Sequence, residues 1–559
     1  MRKKFLIFSI VCLLFCTLSY TYSSFKNTIV GNISGNIKDW VFKVSIDNST
    51  KYEDGYKLHL TGTSGSFNVN INTVGGTKNA GYSIELVSDS PIKFYTDSEY
   101  NNLISNNVYN GSINSNSSRS LTIYYKSTSN INSDILIKAK GSIKDVMIYG
   151  IKRNTNSTSS SWERIEDSIG VVANANLPES TNIKNDFDNI YPCSEIKSYN
   201  YNVSTKKITA WYGDSNFTFD GSNGEVLTYI PGFYYKREVV NGVEYQYISK
   251  YEQDGFLYSE PFSVGRYKMS GGTDAYHGSG SGSSTGNAFT GRSRSGVYPS
   301  TYETLPTFRS SAAKLGAEFS IMDYHWYLLQ MLYLVEYADY DSQTKLGLGV
   351  TKNYDDNTEY GAIIMGGTDS LGMQSGCLVN DGKHSMIYRG IEDVYGNTSD
   401  FIDGINIKDY QAYINYDFTK YVSDTFDGNY KALGYINATF DNGAYITKLG
   451  YDSNNPLIGL PIAGETINDN NSNNPVGLKD GYYSHSGNKV LVIGGAYGIS
   501  YSAGFWFFNA RGWSASDGNR VVGARLLRHH VSWWCQLSDI VCNTYYIFEN
   551  FKNYYTNII

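Results

Sequence analysis

The chain has 559 residues, enough for about three or four domains of ordinary size, each with its own buried core. Its formal net charge is −7, and lysine and arginine form no sustained cluster. This argues against nucleic acid as a partner, because a phosphate backbone requires matching positive charge. The 51 tyrosines and 55 glycines, with a charged fraction of 18%, favour strands and turns. This composition is typical of an extracellular protein rich in β structure.

The amino terminus begins with three basic residues at positions 2–4, followed by an apolar run over residues 5–18. This run is shorter than the roughly 20 residues that span a bilayer, so residues 1–24 are predicted to be a signal peptide rather than a permanent anchor. A cleaved signal would leave the protein secreted or on the cell surface. An uncleaved signal anchor, the alternative, would make this segment the membrane contact of the protein.

Short runs that alternate apolar and polar residues fill residues 25–150, for example at 66–71, 81–87 and 121–125. Alternation with a period of two, broken by Gly, Asn and Ser, predicts an antiparallel β-sandwich with one face in water. Residues 80–95 resemble the β-sandwich of surface and matrix-fibre proteins of Gram-positive bacteria. The resemblance implies that this first domain belongs to a surface protein.

A polar tract, Asn-Thr-Asn-Ser-Thr-Ser-Ser-Ser at 154–161, has little apolar area to bury, so residues 151–161 are predicted to be a linker. A β-rich module is predicted over residues 162–300, with an exposed Gly/Ser loop at 271–284. Its segments at 162–170, 185–191, 220–225 and 230–236 resemble tail-fibre and surface proteins of Firmicute phages and their hosts. In those proteins the module runs directly into a lectin-like region, which predicts one composite unit here.

The run from Ser320 to Tyr337 begins with Ser-x-x-Asp and continues with apolar or aromatic residues on nearly every side. The first feature is typical of a helix start, and the second predicts a helix that is buried on most faces. Trp326, Tyr327 and Met331 are therefore interpreted as core residues rather than as a cofactor site.

Three further motifs follow this helix. Residues 396–401 read Gly-Asn-Thr-Ser-Asp-Phe, residues 489–497 end in Gly-Gly-Ala-Tyr, and residues 518–527 end in Gly-Ala-Arg-Leu-Leu. This order resembles the formylglycine-generating-enzyme-like branch of the C-type-lectin fold, in which a helix precedes a Gly-Asn-x-x-Glu-Trp motif, a Gly-Gly-aromatic strand and a Gly-Phe-Arg-like last strand. The resemblance implies a C-type-lectin-like domain over residues 301–528. The predicted fold class is thus mainly β with some α structure (α+β), an N-terminal sandwich followed by this unit.

The resemblance leaves a choice between enzyme and binding protein, since that branch contains both. Its oxidases use a pair of reactive cysteines close to the final strands. Residues 494–527 contain no cysteine, and the late pair, Cys535 and Cys542, lies beyond the closing run. The sequence therefore predicts a protein that is not an enzyme and has no catalytic residues.

Two pairs of acidic residues keep a hydrolase open as an alternative. They are Glu392 with Asp393, and Asp400 with Asp403. Glycoside hydrolases act through two carboxylates, but sequence alone does not give the separation of such pairs. Since the chain has 53 acidic residues, pairs of this kind also arise by chance.

The aromatic, polar segment at 497–519 is predicted to carry the ligand. Tryptophan can stack on a sugar face or anchor a protein contact, while amide, guanidinium and carboxylate groups provide directional hydrogen bonds. The predicted ligand-binding residues are Tyr497, Trp506, Asn509, Arg511, Trp513, Asp517 and Asn519. Trp513 is flanked by Gly and Ser and is predicted to be the exposed anchor, whereas Trp506 lies between two phenylalanines and is interpreted as structural.

Calcium is the one cofactor that the resemblance suggests, because metal-binding relatives hold it through the Asn and acidic positions of the 396–401 motif. Those positions are Asn397 and Asp400 here. Calcium takes six to eight oxygens, so carbonyls and water would have to complete such a site. The alternative is that both side chains cap turns and bind backbone amides.

The C-terminal residues 529–559 follow the point where the related proteins usually end. They begin with His529 and His530, which could bind a metal but lack a nearby carboxylate in the sequence. The tail is therefore interpreted as solvated or loosely packed.

These features predict a secreted or cell-surface bacterial binding protein, adhesin-like, that presents a lectin-like face to a glycan or a surface protein. One alternative is a phage-tail-like structural or receptor-binding subunit. The other is a carbohydrate- or protein-modifying enzyme on the same fold. A homo-oligomer is compatible with the sequence.

Overall fold

The computed structural model describes residues 29–30, 41–52, 55–74, 79–100, 103–104, 107–113, 116–144, 147–272, 274, 289–353, 361–423, 426, 428–467, 477–512 and 514–530. The predicted signal peptide, most of the Gly/Ser loop, Trp513 and the late cysteine pair lie outside these residues. The chain divides into two compact units, Met1–Met147 and Ile148–Ile559. Within the described residues no helix is long and apolar enough to cross a membrane.

The first unit is built on one antiparallel sheet of eight strands, in the order β2-β4-β8-β5-β7, with β1 and β6 on β8 and β3 on β4. The strands are β1 (Ile29–Val30), β2 (Val41–Ile46), β3 (Thr50–Tyr52), β4 (Gly55–Val74), β5 (Asn79–Val87), β6 (Ile92–Tyr95), β7 (Val108–Ile113) and β8 (Ser118–Lys144). Strands β4 and β8 are 20 and 27 residues long.

The two long strands make the first unit sandwich-like. Their register shifts between Gly62 and Ser64, where Gly62 has a φ of 87° that favours glycine. On one side of the shift β4 pairs with β2, and on the other side β8 extends to pair with β5. Alternate residues of β4, including Phe67, Val69 and Ile71, are buried, as the period-two pattern predicts.

The second unit contains four sheets. A five-stranded sheet has the order β10-β9-β15-β14-β16, and a six-stranded sheet has the order β12-β11-β13-β17-β31-β18. Their strands are β9 (Ile148–Asn154), β10 (Glu163–Glu166), β11 (Lys197–Asn202), β12 (Lys207–Trp211), β13 (Glu225–Ile230), β14 (Phe233–Val240), β15 (Val243–Ser249), β16 (Leu257–Ser259), β17 (Phe262–Gly265), β18 (Phe319–Ile321) and β31 (Leu526–His529).

The other two sheets lie between β18 and β31 in the sequence. A three-stranded sheet contains β19 (Gly376–Cys377), β20 (Met386–Tyr388) and β21 (Ile391–Glu392). A nine-stranded sheet contains β22 (Ser399–Lys408), β23 (Gln411–Ile414), β24 (Lys431–Ala432), β25 (Ala444–Leu449), β26 (Pro461–Thr466), β27 (Gly481–Ser484), β28 (Asn488–Ile493), β29 (Phe508–Ala510) and β30 (Val522–Gly523). The predicted class, mainly β with some α, is confirmed.

Three α-helices occur among the described residues: α1 (Leu305–Ala313), α2 (His325–Tyr337) and α3 (Ser342–Leu346). All 13 residues of α2 are buried, which confirms the predicted buried helix. The helix begins later than the sequence predicts, because Phe319–Ile321 forms strand β18 and pairs with β31. Long-range strand pairing thus outweighs the local Ser-x-x-Asp signal at Ser320.

The predicted linker at 151–161 is wrong, because these residues belong to a β-hairpin of the second unit. Strand β9 pairs with β10 on the far side of the polar tract. The buried guanidinium of Arg153 donates to the carbonyl oxygens of Ser157 and Ser159 over 2.7 Å each. The tract is therefore ordered by satisfied backbone groups rather than by apolar burial.

Strand β31 bears on two of the predicted boundaries. It lies between β17 and β18, so the predicted modules 162–300 and 301–528, which were expected to form one composite unit, contribute strands to one sheet of the second unit. The same pairing places His529 opposite Phe262. The first residue of the predicted tail is therefore a strand residue, whereas residues 531–559 lie outside the described part of the chain.

Candidate functional site

The motif residues that suggest the family resemblance form a buried frame at the centre of the second unit. The carboxylate of Asp400 lies 3.0 Å from the Lys268 ammonium and 3.4 Å from Nε of Arg525. Arg525 also donates to four backbone carbonyl oxygens, those of Gly265, Arg266, Glu392 and Asp393, at 2.8–3.2 Å. One guanidinium therefore ties strand β17 to the loop after β21.

Asn397 holds its neighbours through its side-chain amide. Its Oδ1 accepts from the amide of Ile363 at 2.9 Å, and its Nδ2 donates to Asp393 over 2.9 Å. The residue has a φ of 61°, in the left-handed region that asparagine tolerates. These contacts match the predicted alternative in which Asn397 binds backbone amides.

The polar atoms of Asn397 and Asp400 do not fit a calcium ion. The Asn397 oxygen is engaged by an amide, and Asp400 faces an ammonium and a guanidinium, both of which would repel a cation. A calcium ion needs six to eight oxygens turned toward one point.

The acidic pairs are buried and hydrogen-bonded inside the frame. Glu392 accepts from the amides of Gly366 and Thr368 at 2.7 and 2.9 Å. Burial, reinforced by the neighbouring carboxylate of Asp393, raises the pKa of Glu392 to about 7. Asp403 accepts from two nitrogens of Arg309 at 2.6 and 2.8 Å. Such geometry holds loops in place, and a glycan could not reach these carboxylates without displacing the protein.

A second buried ion pair, which the sequence did not indicate, fixes helix α2. Nε and Nη2 of Arg389 donate to the two carboxylate oxygens of Glu336 at 2.7 and 2.8 Å. The hydroxyl of Tyr388 donates to the same carboxylate at 3.1 Å. Glu336 is the one acidic residue of helix α2, and this was the available signal in the sequence.

The predicted ligand segment divides into a buried part and a surface part. Trp506 is 2% exposed and packs on Tyr340, with ring centroids 4.7 Å apart, and on Tyr333 at 5.7 Å. Its place among the predicted ligand-binding residues is therefore corrected: it is a core residue, as its flanking phenylalanines suggest. Phe505, its neighbour, also stacks on Tyr333 at 4.8 Å.

The surface part begins at Asn509 in strand β29 and continues after this strand. Asn509 is half-buried, and Arg511 and Asn519 are exposed. Asp517 accepts from the amide of Ser514 at 2.7 Å and closes a turn. The predicted anchor, Trp513, lies outside the described residues, so its role stays a prediction.

A pocket of about 200 Å³ lies beside this surface. Two of the predicted residues, Tyr497 and Asn509, line it, together with Ser399, Val492, Ala496, Gly498, Ile499, Phe507, Arg520 and Val521. Strand pairing brings these parts together, because Val492 of β28 lies opposite Asn509 of β29, and Ser399 of β22 lies opposite Val522 of β30. Most of the lining is apolar, with an amide and a guanidinium among the polar groups.

The residues that line this pocket differ in how far their side chains are buried. Val492, Ala496 and Phe507 are buried and form its floor, whereas Asn509 and Arg520 are only partly buried. The pocket is smaller than the roughly 300 Å³ at which sites for drug-sized ligands begin. It suits one sugar ring or one amino-acid side chain better than a large cofactor.

The sequence prediction missed the pocket residues that come from outside the segment or from its end. Ser399 and Arg520 belong to different elements and meet Asn509 only through the sheet. Arg520 lies directly after the predicted Asn519, and this adjacency was the available signal in the sequence. Arg511, Asp517 and Asn519 lie outside the lining of the pocket.

Comparison with known proteins gives no further assignment: no family model matches the chain, and no curated protein is significantly similar to it.

Proposed function

We propose that the protein is a secreted or cell-surface bacterial binding protein, adhesin-like, whose second unit recognises a glycan or protein ligand at the pocket beside residues 497–521. The observation that carries the proposal is the pocket itself. It lies at the surface part of the predicted segment and combines a buried apolar floor with the partly exposed Asn509 and Arg520. The resemblance to lectin-like surface proteins is part of the same proposal.

The chemistry of the pocket favours a ligand with one apolar and one polar side. A sugar ring has this character, since its C–H face packs on apolar groups while its hydroxyls accept and donate hydrogen bonds. An amino-acid side chain at the end of a peptide loop has it as well. Asn509 can both donate and accept, whereas Arg520 can only donate, so an acceptor-rich ligand fits the guanidinium.

The test begins with the full-length exported protein on a glycan array and on fractionated surface proteins. The affinity of each hit is then measured by calorimetry for the wild type and for Asn509→Ala and Arg520→Ala. Each change is expected to weaken binding about tenfold, which corresponds to roughly 1.4 kcal/mol. Melting temperatures of all variants show whether the fold is kept.

Lys383→Ala serves as the matched control, because Lys383 is exposed and does not line the pocket. Unchanged affinity in folded Asn509→Ala and Arg520→Ala proteins would remove the pocket from the binding site. Absence of the protein from the culture medium and the cell surface, or recovery of uncut chain only from the cytosol, would contradict the proposed location.

A further inference from the structure

Asp323, His325 and His529 form a cluster at the junction of strand β18 and helix α2. One nitrogen of each imidazole and one oxygen of Asp323 lie within 4.8 Å of one another. The pairing of β31 with β18 creates this cluster, since it brings the last residue of β31 beside residues more than 200 positions earlier. Asp323 is fully buried and His325 nearly so, whereas His529 is partly exposed.

The charge of Asp323 is not faced by an arginine, in contrast to two other buried carboxylates of this unit. Asp403 and Glu336 each face an arginine within 2.7 Å. Among the described residues, no lysine or arginine nitrogen lies within ion-pair distance of Asp323, and Nδ1 of His325 lies 2.6 Å from its Oδ1. A carboxylate oxygen and two imidazole nitrogens that converge in this way are a ligand set for a metal ion.

The side chains of the cluster also have the supporting contacts that metal ligands usually have. The hydroxyl of Tyr421 donates to Oδ2 of Asp323 at 2.8 Å, and Oγ of Ser320 lies 2.9 Å from Nε2 of His529. The ring of Phe418 stacks on His529 with centroids 3.7 Å apart. Such contacts hold the side chains of Asp323 and His529 in one orientation.

A purely structural role explains only part of this arrangement. Oδ1 of Asp323 also accepts from the amide of His325 at 3.0 Å and so caps the start of α2. This cap requires neither an imidazole at position 325 nor the convergence of His529. The second imidazole is the feature that a helix cap leaves unexplained.

We propose that Asp323, His325 and His529 bind a divalent transition-metal ion. Zn²⁺ is the ion best matched to two imidazoles and one carboxylate, which are ligands that it commonly takes at about 2.0–2.2 Å. The ion replaces the direct hydrogen bond between Asp323 and His325. It joins the end of the closing strand to the start of helix α2, and it acts independently of the ligand pocket.

The experiment uses full-length protein made without a polyhistidine tag, stripped with EDTA and dialysed. Zn²⁺ is titrated in by calorimetry, and Co²⁺ by its visible absorption. One equivalent is expected to bind, and Zn²⁺ is expected to raise the melting temperature, because an ion that binds only the folded state stabilises it. The variants His529→Gln and Asp323→Asn retain polar side chains and are expected to bind at least about tenfold more weakly.

His530→Ala is the matched control, because Nε2 of His530 contacts Ser263 instead and the residue lies outside the cluster. It is expected to keep both the stoichiometry and the rise in melting temperature. The proposal is overturned if stripped wild-type protein binds no Zn²⁺ or Co²⁺. It is also overturned if folded His529→Gln binds like the wild type, or if His530→Ala loses binding to the same extent.

Discussion

The buried frame and the pocket of the second unit contain residues that are close in the sequence but differ in exposure, such as Arg525 and Arg520. Asn397, Asp400 and Arg525 are at most 2% exposed, and each is held by several protein contacts. Asn509 and Arg520, a few residues away in the chain or the sheet, are partly exposed beside the pocket. The frame fixes the backbone positions on which the pocket is built.

This contrast separates two kinds of change in the protein. A substitution in the frame leaves a buried charge or amide without its partner, so it acts on stability first. A substitution of a partly exposed pocket residue meets solvent, so under the proposed function it should act on ligand affinity with little effect on the fold.

The sharpest test of the frame is Arg525→Met. The change removes the donors for four carbonyls and leaves Asp400 with Lys268 as its remaining cation. We expect the free energy of unfolding to fall by about 5 kcal/mol, the upper end for breaking a buried ion pair. Chemical denaturation measures this, with exposed Arg511→Met as the control. A loss below about 1 kcal/mol would show that the frame does not depend on this guanidinium.

Trp506→Ala tests whether a tryptophan within the predicted ligand segment is a core residue rather than a ligand-binding residue. Because the indole is buried between Tyr340 and Tyr333, its removal is expected to lower the free energy of unfolding by about 3–4 kcal/mol. Ligand affinity of the remaining folded protein should stay nearly unchanged. Weakened binding at full stability would instead return Trp506 to the binding site.

Trp513→Ala is the opposite case, expected to change recognition and not stability. An anchoring aromatic residue contributes about 2 kcal/mol, so affinity should fall roughly thirtyfold while the melting temperature is kept. Surface plasmon resonance with the ligand from the array measures the affinity, and calorimetry measures the melting temperature. A folded variant with wild-type affinity would leave the pocket as the binding site without this residue.

Asp480→Asn has the smallest expected effect, which is a change in how the free energy of unfolding depends on pH. Burial raises the pKa of Asp480 well above its ordinary value of 3.8, and its Oδ2 accepts from the amide of Trp506 at 2.7 Å. Because the pKa of Asp480 is higher in the folded state than in the unfolded state, its contribution to stability is fully present below the unfolded-state pKa of about 4. This contribution is lost as pH rises from there through the folded-state pKa. The neutral asparagine should remove that part of the decline in stability with pH.

Denaturation curves at several pH values above 4 compare the wild type with Asp480→Asn and with Asp254→Asn, an exposed aspartate that serves as the control. If Asp480→Asn shows the same slope of stability against pH as the wild type, Asp480 is not the group that titrates.

Local patterns sufficed for features that depend on local physics. The period of two along β4 gave its buried face, and the long apolar run gave helix α2. Pairings between distant residues had no local signal. The sequence at Ser320 is typical of a helix start, but its pairing with β31 makes it a strand residue. The sequence of the 154–161 tract is typical of a linker, but hydrogen bonds from Arg153 hold its backbone.

The candidate site was predictable in part for the same reason. Tyr497 and Asn509 stand in the predicted segment and line the pocket, but Ser399 reaches it from strand β22. Trp506 and Trp513 are both tryptophans of the predicted segment. The phenylalanines on either side of Trp506 indicated that it is a core residue. His529 seemed to lack a carboxylate because Asp323 is remote in sequence and near in the sheet.

The position of β31 between β17 and β18 has a consequence for how the protein is made. Residues 262–265 and 319–321 leave the ribosome long before their shared partner at 526–529, so the six-stranded sheet cannot be completed during most of synthesis. Contacts so distant in sequence form slowly, since a long loop must close before they are gained. Until residues 526–529 are made, the edges of β17 and β18 that pair with β31 lack their partner, and truncation before residue 526 would leave both edges open to aggregation.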